Sequence, residues 1–110
     1  MSTGKRSGGE AGGELDFTWD PVKAASNVAK HGVSFPDAAT VLTDALALTV
    51  FDDAHSQFED RWFTLGMSSE GKLLAVSHTY SDTGSNSATV RIISAREATR
   101  AERRQYENEP

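Results

Sequence analysis

Between Val90 and Glu107 the stretch VRIISAREATRAERRQYE holds five arginines in eighteen residues, and one further late arginine, Arg61, opens RWFTLGM. The chemistry such residues suit is anion recognition: a planar guanidinium fork gives two parallel hydrogen bonds to phosphate or carboxylate and steadies charge building on an oxyanion. Arg91 interrupts an otherwise apolar run, so its side chain must either snorkel or meet an anion. If its strand shares a sheet with the one that Arg61 opens, the two can converge on a phosphate; a plain surface position is the other reading for Arg61. Arg96, Arg100, Arg103 and Arg104 recur at three- and four-residue spacing, which on a helix makes one face. A solvated surface with Arg103 and Glu107 as an i,i+4 pair accounts for them equally well.

Three histidines supply groups that titrate near neutral pH. His31, between Lys30 and Gly32, fits a helix C-terminus, where the macrodipole favours cations. His78 shares a strand face with Leu74, Val76 and Tyr80 and reads as a core or sheet-edge residue. His55 lies in DDAHSQFED, which reads as an exposed acidic loop; its spacing matches no metal-ligand pattern, and no metal or other cofactor is expected. The sequence has no glycine-rich phosphate loop, no nucleophile elbow and no CxxC.

The elements that position these residues are marked by local signals. LDFTWD alternates as a short strand. Asp20 as a cap, Pro21 in the first turn and Gly32 as a left-handed stop predict a helix from Pro21 to His31. Ser34 and Asp37 in capping-box spacing, with Pro36, predict a second short helix on an apolar stripe of Phe35, Ala38, Ala39 and Leu42. Four strands follow in ALALTVFD, DRWFTLGMS, KLLAVSHTYS and ATVRIISA, joined by hairpin loops at SSEG and DTGSNS. In the last strand Val90, Ile92 and Ser94 alternate against Arg91, Ile93 and Ala95. Ser94 and Glu97 predict a closing helix from about Ala95 to Tyr106. The order β-α-α-β-β-β-β-α is an α+β fold with an antiparallel sheet packed against two N-terminal helices, plus a C-terminal helix.

A length of 110 residues allows one small domain, expected over residues 15–110 behind a flexible glycine-rich tail at 1–14. The absence of cysteine and of any long apolar run points to a reducing, cytoplasmic setting with no membrane association. The net charge of -5 argues against a general nucleic-acid binder, but it is unevenly spread. Residues 1–60 carry four basic against ten acidic side chains and residues 61–110 seven against six, leaving -6 and +1.

FTWDPVKAASNVAKHGVSFPDAATVLTD resembles the opening of the BrnT toxins, with their aromatic-W-D-P and N-x-x-K-H-G-V-x-F segments. RWFTLGMSSEGKLLAVSHTY and RIISAREATRAERRQYE resemble that family's R-x-x-x-x-G strand and its R-I-I-S-A-R-x-A-x-x-E-x-x-x-Y end. The resemblance spans Phe17 to Glu107. It implies a RelE-like fold and a ribonuclease toxin of a type II toxin–antitoxin system that cuts RNA and arrests translation and growth. It also implies a BrnA-like ribbon-helix-helix antitoxin as partner, with operator DNA bound only through their complex.

Carried over by motif, Arg61 and Arg91 stabilise charge on the phosphate, and His31 is the favoured proton acceptor. Lys30, Arg96, His78, Tyr80 and Arg100 contact RNA, with Trp62 or Tyr80 able to stack on a base or simply to pack. Ser81 departs from the pattern, since many relatives have arginine there. That departure keeps open a second reading, a non-catalytic co-repressor that acts with the antitoxin. A direct DNA-binding regulator is the weakest reading, because Glu97, Glu102 and Glu107 interleave the basic helix.

Overall fold

Local caps start the helices where the sequence places them. In the computed structural model, which describes residues 14–108, β1 (Glu14–Thr18) leads into α1 (Pro21–His31), and the Asp20 carboxylate accepts from Val22 N–H at 2.9 Å. Gly32, at φ 68°, ends α1 in the left-handed conformation that only glycine adopts at no steric cost. Ser34 Oγ then accepts from Asp37 N–H at the start of α2 (Phe35–Val41).

The strands are β2 (Leu48–Phe51), β3 (Trp62–Met67), β4 (Leu73–His78), β5 (Ser81–Gly84) and β6 (Ser87–Glu97), and α3 (Arg100–Asn108) closes the chain. They form one six-stranded sheet in the order β1-β6-β4-β3-β2, with β5 hydrogen-bonded to β6 beside this path. Apart from the added β5 the element order is the expected one, and β2-β3-β4-β6 is the antiparallel meander. The sheet as a whole is mixed, because β1 lies parallel to β6 in the register Phe17↔Val90 and Thr18↔Arg91.

Three local expectations are corrected. The DTGSNS loop contributes a strand: β5 pairs back on β6 across a turn in which Asn86 takes φ 71°. The closing helix begins at Arg100 rather than Ala95, since β6 continues against β4 as far as the Leu74↔Glu97 pair. Thr99 and Glu102 form the actual capping box, Glu102 N–H donating to Thr99 Oγ1 and Thr99 N–H to Glu102 Oε1. A register shift between Ser77 and His78 marks a bulge in the β4–β6 pairing, and past it Ala95 returns to the face that carries Val90 and Ile92.

Each sheet face has its own core. On one, Val33, Phe35, Ala38 and Val41 from the helix layer pack on Leu74, Val76, Val90, Ile92 and Ala95. On the other, α3 brings Tyr106 over Leu65, Leu73 and Ala75. Tyr106 donates to Asp44 Oδ2 at 2.6 Å, and the same oxygen accepts from Met67 N–H at 2.8 Å. Gly66 passes beneath: a Cβ there would stand 3.0 Å from Val41 Cγ1 and 3.2 Å from Asp44 Oδ2, so the glycine of the R-x-x-x-x-G strand is a packing requirement. The expected tail at 1–14 lies outside the described residues except for Glu14, which begins β1. Among the described residues no helix is long and apolar enough to cross a membrane.

Candidate active site

Arg91 alternates with the buried pair Val90 and Ile92, so it leaves β6 on the face away from α1 and α2, and it is exposed. Arg61, immediately before β3, lies on the same side by the same alternation, opposite Trp62. The two guanidinium groups come together on one atom: Glu59 Oε2 is 2.5 Å from Arg91 Nη2 and 3.6 Å from Arg61 Nη2. The convergence read from sequence is therefore present, with a carboxylate of the chain as its anion. The hydrogen bond from Arg91 chiefly, helped by both positive charges against some desolvation, holds the Glu59 carboxyl below its usual range.

Glu59 belongs to the β2–β3 loop, which is folded back on itself. Asp52 N–H donates to the Arg61 carbonyl at 2.9 Å across the neck, and Ser56 Oγ donates to the Asp52 carbonyl at 2.6 Å and accepts from Arg61 N–H at 3.0 Å. A 3-10 turn over Asp53–His55 brings His55 Nδ1 to 3.0 and 3.2 Å from the two Asp52 carboxylate oxygens. A pocket of about 210 Å³ opens between His55, Gln57, Phe58, Glu59 and Arg61. Arg61 Nε is sealed from solvent with no acceptor.

The other residues singled out from sequence stand elsewhere. Lys30 and His31 are exposed in the last turn of α1, in the layer on the far side of the sheet from Arg61 and Arg91, so His31 does not join them. His78 is 2 % exposed: Nε2 lies 2.7 Å from Thr64 Oγ1, which is 2.8 Å from Thr49 Oγ1, and Nδ1 lies 3.0 Å from the Thr79 carbonyl. Since the carbonyl only accepts, the neutral ring carries its proton on Nδ1, and both hydroxyls donate toward Nε2. Burial lowers the His78 pKa and the Thr79 carbonyl only partly opposes it.

Above His78 the uncovered part of the helix-side face forms a second cleft with Trp62, Tyr80, Thr49, Leu15 and Val90 in its walls, and Tyr80 is half exposed. Arg96 grips Glu102 through two bonds of 2.9 and 3.0 Å and lies 5.7 Å above the Phe63 ring centre. The bonds that Arg96 donates to Glu102 raise the arginine's pKa and lower that of the carboxyl. Arg100 is exposed at the head of α3, and Arg103 pairs with Glu107 at 3.5 Å.

Glu59 and the Asp52–His55 pair are the site features that sequence reasoning missed. Their only local sign is the i,i+3 spacing of Asp52 and His55, common in any acidic loop. The Arg61–Glu59–Arg91 contact joins residues 32 positions apart.

A family model described as the ribonuclease toxin BrnT of type II toxin–antitoxin systems matches residues 19–102. Among solved structures, the chain is similar to the Brucella abortus ribonuclease toxin BrnT, determined at 1.1 Å. The two are 26% identical with a TM-score of 0.55, over 78% of this chain and 99% of that one. No curated protein matches the chain.

Proposed function

Because the chain belongs to the BrnT family of ribonuclease toxins of type II toxin–antitoxin systems, we propose that it cleaves RNA in the cytoplasm, halting translation and growth, through the cationic site at Arg61 and Arg91. One observation carries this reading: the two guanidinium groups already converge on a single anionic oxygen, the arrangement that a phosphodiester requires. RNA brings its own nucleophile, the 2′-hydroxyl next to the scissile phosphate, so cleavage needs no metal. The protein has to orient the backbone, move a proton and stabilise the charge gathering on the phosphoryl oxygens.

Glu59 marks where a phosphate oxygen sits and yields its place when RNA binds. Tyr80 and Arg100, both exposed, contact flanking nucleotides, whereas Lys30 stands across the sheet from the arginines and is not placed with them. Arg96 and His78 act from within, one by fixing α3 and the other by shaping the Trp62–Tyr80 cleft. The partner is a BrnA-like ribbon-helix-helix antitoxin that silences the toxin and carries it to operator DNA.

Expression of the chain alone from a tightly controlled promoter, beside Arg61→Ala and Arg91→Ala, tests the reading through growth and RNA integrity. Arrest with RNA loss in the parent and not in the variants is expected. Normal growth and intact RNA with soluble, folded parent protein would overturn it in favour of a co-repressor without cleavage.

A further inference from the structure

The Arg61–Arg91 pair accounts for charge and not for the proton that must leave the 2′-hydroxyl. His31 is on the far side of the sheet, and both His78 nitrogens are engaged inside the core. The remaining histidine opens into the pocket beside Arg61.

We propose that His55, held by Asp52, is the catalytic base of this cleavage, receiving the 2′-hydroxyl proton of a ribonucleotide whose phosphate lies on Arg61 and Arg91. The inference rests on the reading of the chain as an RNA-cleaving enzyme and names the group that reading lacks. Three observations on one loop support it.

First, Asp52 engages Nδ1 of His55 through both carboxylate oxygens. This puts the ring proton on Nδ1 and leaves the Nε2 lone pair unprotonated, the division of labour by which a carboxylate orients a histidine base. Among the described residues Nε2 has no hydrogen-bond partner. Second, His55, Glu59 and Arg61 line the same pocket, which sets the imidazole beside the anion position held by the two guanidinium groups. Third, Phe58 on the rim is 97 % exposed, an aromatic face free to stack on an unpaired base. The pocket thus offers a contact for each part of a single-stranded ribonucleotide.

Glu59 is the other proton acceptor at hand, and it suits the task less. Its carboxyl is held below the usual range by Arg91 and then Arg61, which makes it a weak base at neutral pH. A histidine turned by a carboxylate is the commonest general base in steps of this kind. The charged groups around His55 are Asp52 on Nδ1, Glu59 and Arg61 across the pocket, and Arg91 behind Glu59.

In the step itself, His55 Nε2 takes the 2′-hydroxyl proton and the 2′-oxygen forms a bond to phosphorus. The bond from phosphorus to the 5′-oxygen breaks, and that oxygen takes a proton from water. The products are a 2′,3′-cyclic phosphate and a 5′-hydroxyl end, and the imidazolium returns its proton to solvent.

The test compares the parent, His55→Gln, Asp52→Asn and Arg91→Ala in two assays. One maps 5′-hydroxyl RNA ends after induction in cells; the other measures binding of a single-stranded 2′-O-methyl oligoribonucleotide, which cannot be cut, by fluorescence anisotropy. His55→Gln is expected to lose cleavage by about 100-fold or more, the usual share of general-base catalysis, while binding stays within about twofold. Asp52→Asn is expected to lower cleavage while binding of the same oligonucleotide stays within about twofold, because the ring loses the carboxylate that orients it. Cleavage by His55→Gln at the parental rate, with Arg91→Ala inactive, would overturn the assignment of His55 and leave the arginine site standing. Parental cleavage by Arg91→Ala, or none by the parent, would overturn the underlying reading and this one with it.

Discussion

Asn27 and Ala95 are joined as two peptide groups would be. Asn27 Nδ2 donates to the Ala95 carbonyl at 2.8 Å, Oδ1 accepts from Ala95 N–H at 3.1 Å, and the second Nδ2 proton goes to the Val33 carbonyl at 2.9 Å. All three bonds are buried, so helix α1 is stitched to β6 beyond the bulge by an amide that few other side chains can replace.

Asn27→Ala should therefore destabilise the protein by about 2–4 kcal/mol, since it strands buried backbone groups at both ends of the clasp. Asn27→Asp should cost a similar amount, because a carboxylate accepts from Ala95 N–H but offers nothing to the two carbonyls. Urea unfolding followed by circular dichroism reads both; midpoints equal to the parent's would show that the clasp contributes little.

Stability should fall on mild acidification through His78. Burial depresses its folded pKa below the ordinary 6.5, so below that pH the unfolded chain takes up a proton that the folded one resists. The contribution is complete above about 6.5 and is lost as pH falls toward the folded value. Subtracting the pH dependence of His78→Gln from that of the parent, both from urea midpoints between pH 7.5 and 5, should isolate this loss. A flat difference would mean that the ring is not held neutral.

At the other end of the pH scale Tyr106 acts with the opposite sense. Its bond to Asp44, aided by burial and the carboxylate's charge, pushes its pKa up to about 12. Since the folded value exceeds the unfolded value of about 10, the contribution is present below pH 10 and disappears as pH rises toward 12. Desolvation of Asp44 is more than offset by the bonds from Met67 N–H, Tyr106 and Leu46 N–H, so its carboxyl stays below the usual range. Tyr106→Phe should lower stability at pH 7 by about 1–3 kcal/mol, the range for a hydrogen bond to a charged group. The parent-minus-variant tyrosinate absorbance should have its midpoint near 12; a midpoint near 10 would show that the bond does not form in solution.

Gly66→Ala should cost about 1–3 kcal/mol from crowding alone, as Val41, Ala47 and Asp44 all stand 3.0–3.2 Å from the new methyl group. A second change, Val41→Ala, makes room, and recovery in the double variant checks the cause. A double variant no better than the sum of its parts would move the explanation elsewhere.

What the sequence disclosed follows the range of the interaction involved. The caps at Asp20 and Ser34 are bonds across two or three residues, so their signatures were readable and their helices start where expected. Ser94-x-x-Glu97 and Thr99-x-x-Glu102 carry the same signature five residues apart. Pairing with β4, which no local pattern contains, decided between them by drawing the first into the sheet. The bulge that turns Ala95 inward and the parallel docking of β1 likewise depend on partners distant in sequence. At the candidate site, alternation set Arg91 opposite Val90 and Ile92, but its meeting with Arg61 hung on the two strands sharing a sheet. The loop that supplies Glu59 and His55 folds through Ser56 and the Asp52–Arg61 neck, which leave no periodic trace.

β6 lies between β1 and β4, so an interior strand of the sheet is the last of the six in chain order. Until residues 87–97 have been translated, β1 has no neighbour, Asn27 has no Ala95, and the arginine site has only one of its two cations. Such long-range closure makes the fold wait for its last strand. The two-cation site is therefore a late product of folding, complete only once the strand that closes the sheet is in place.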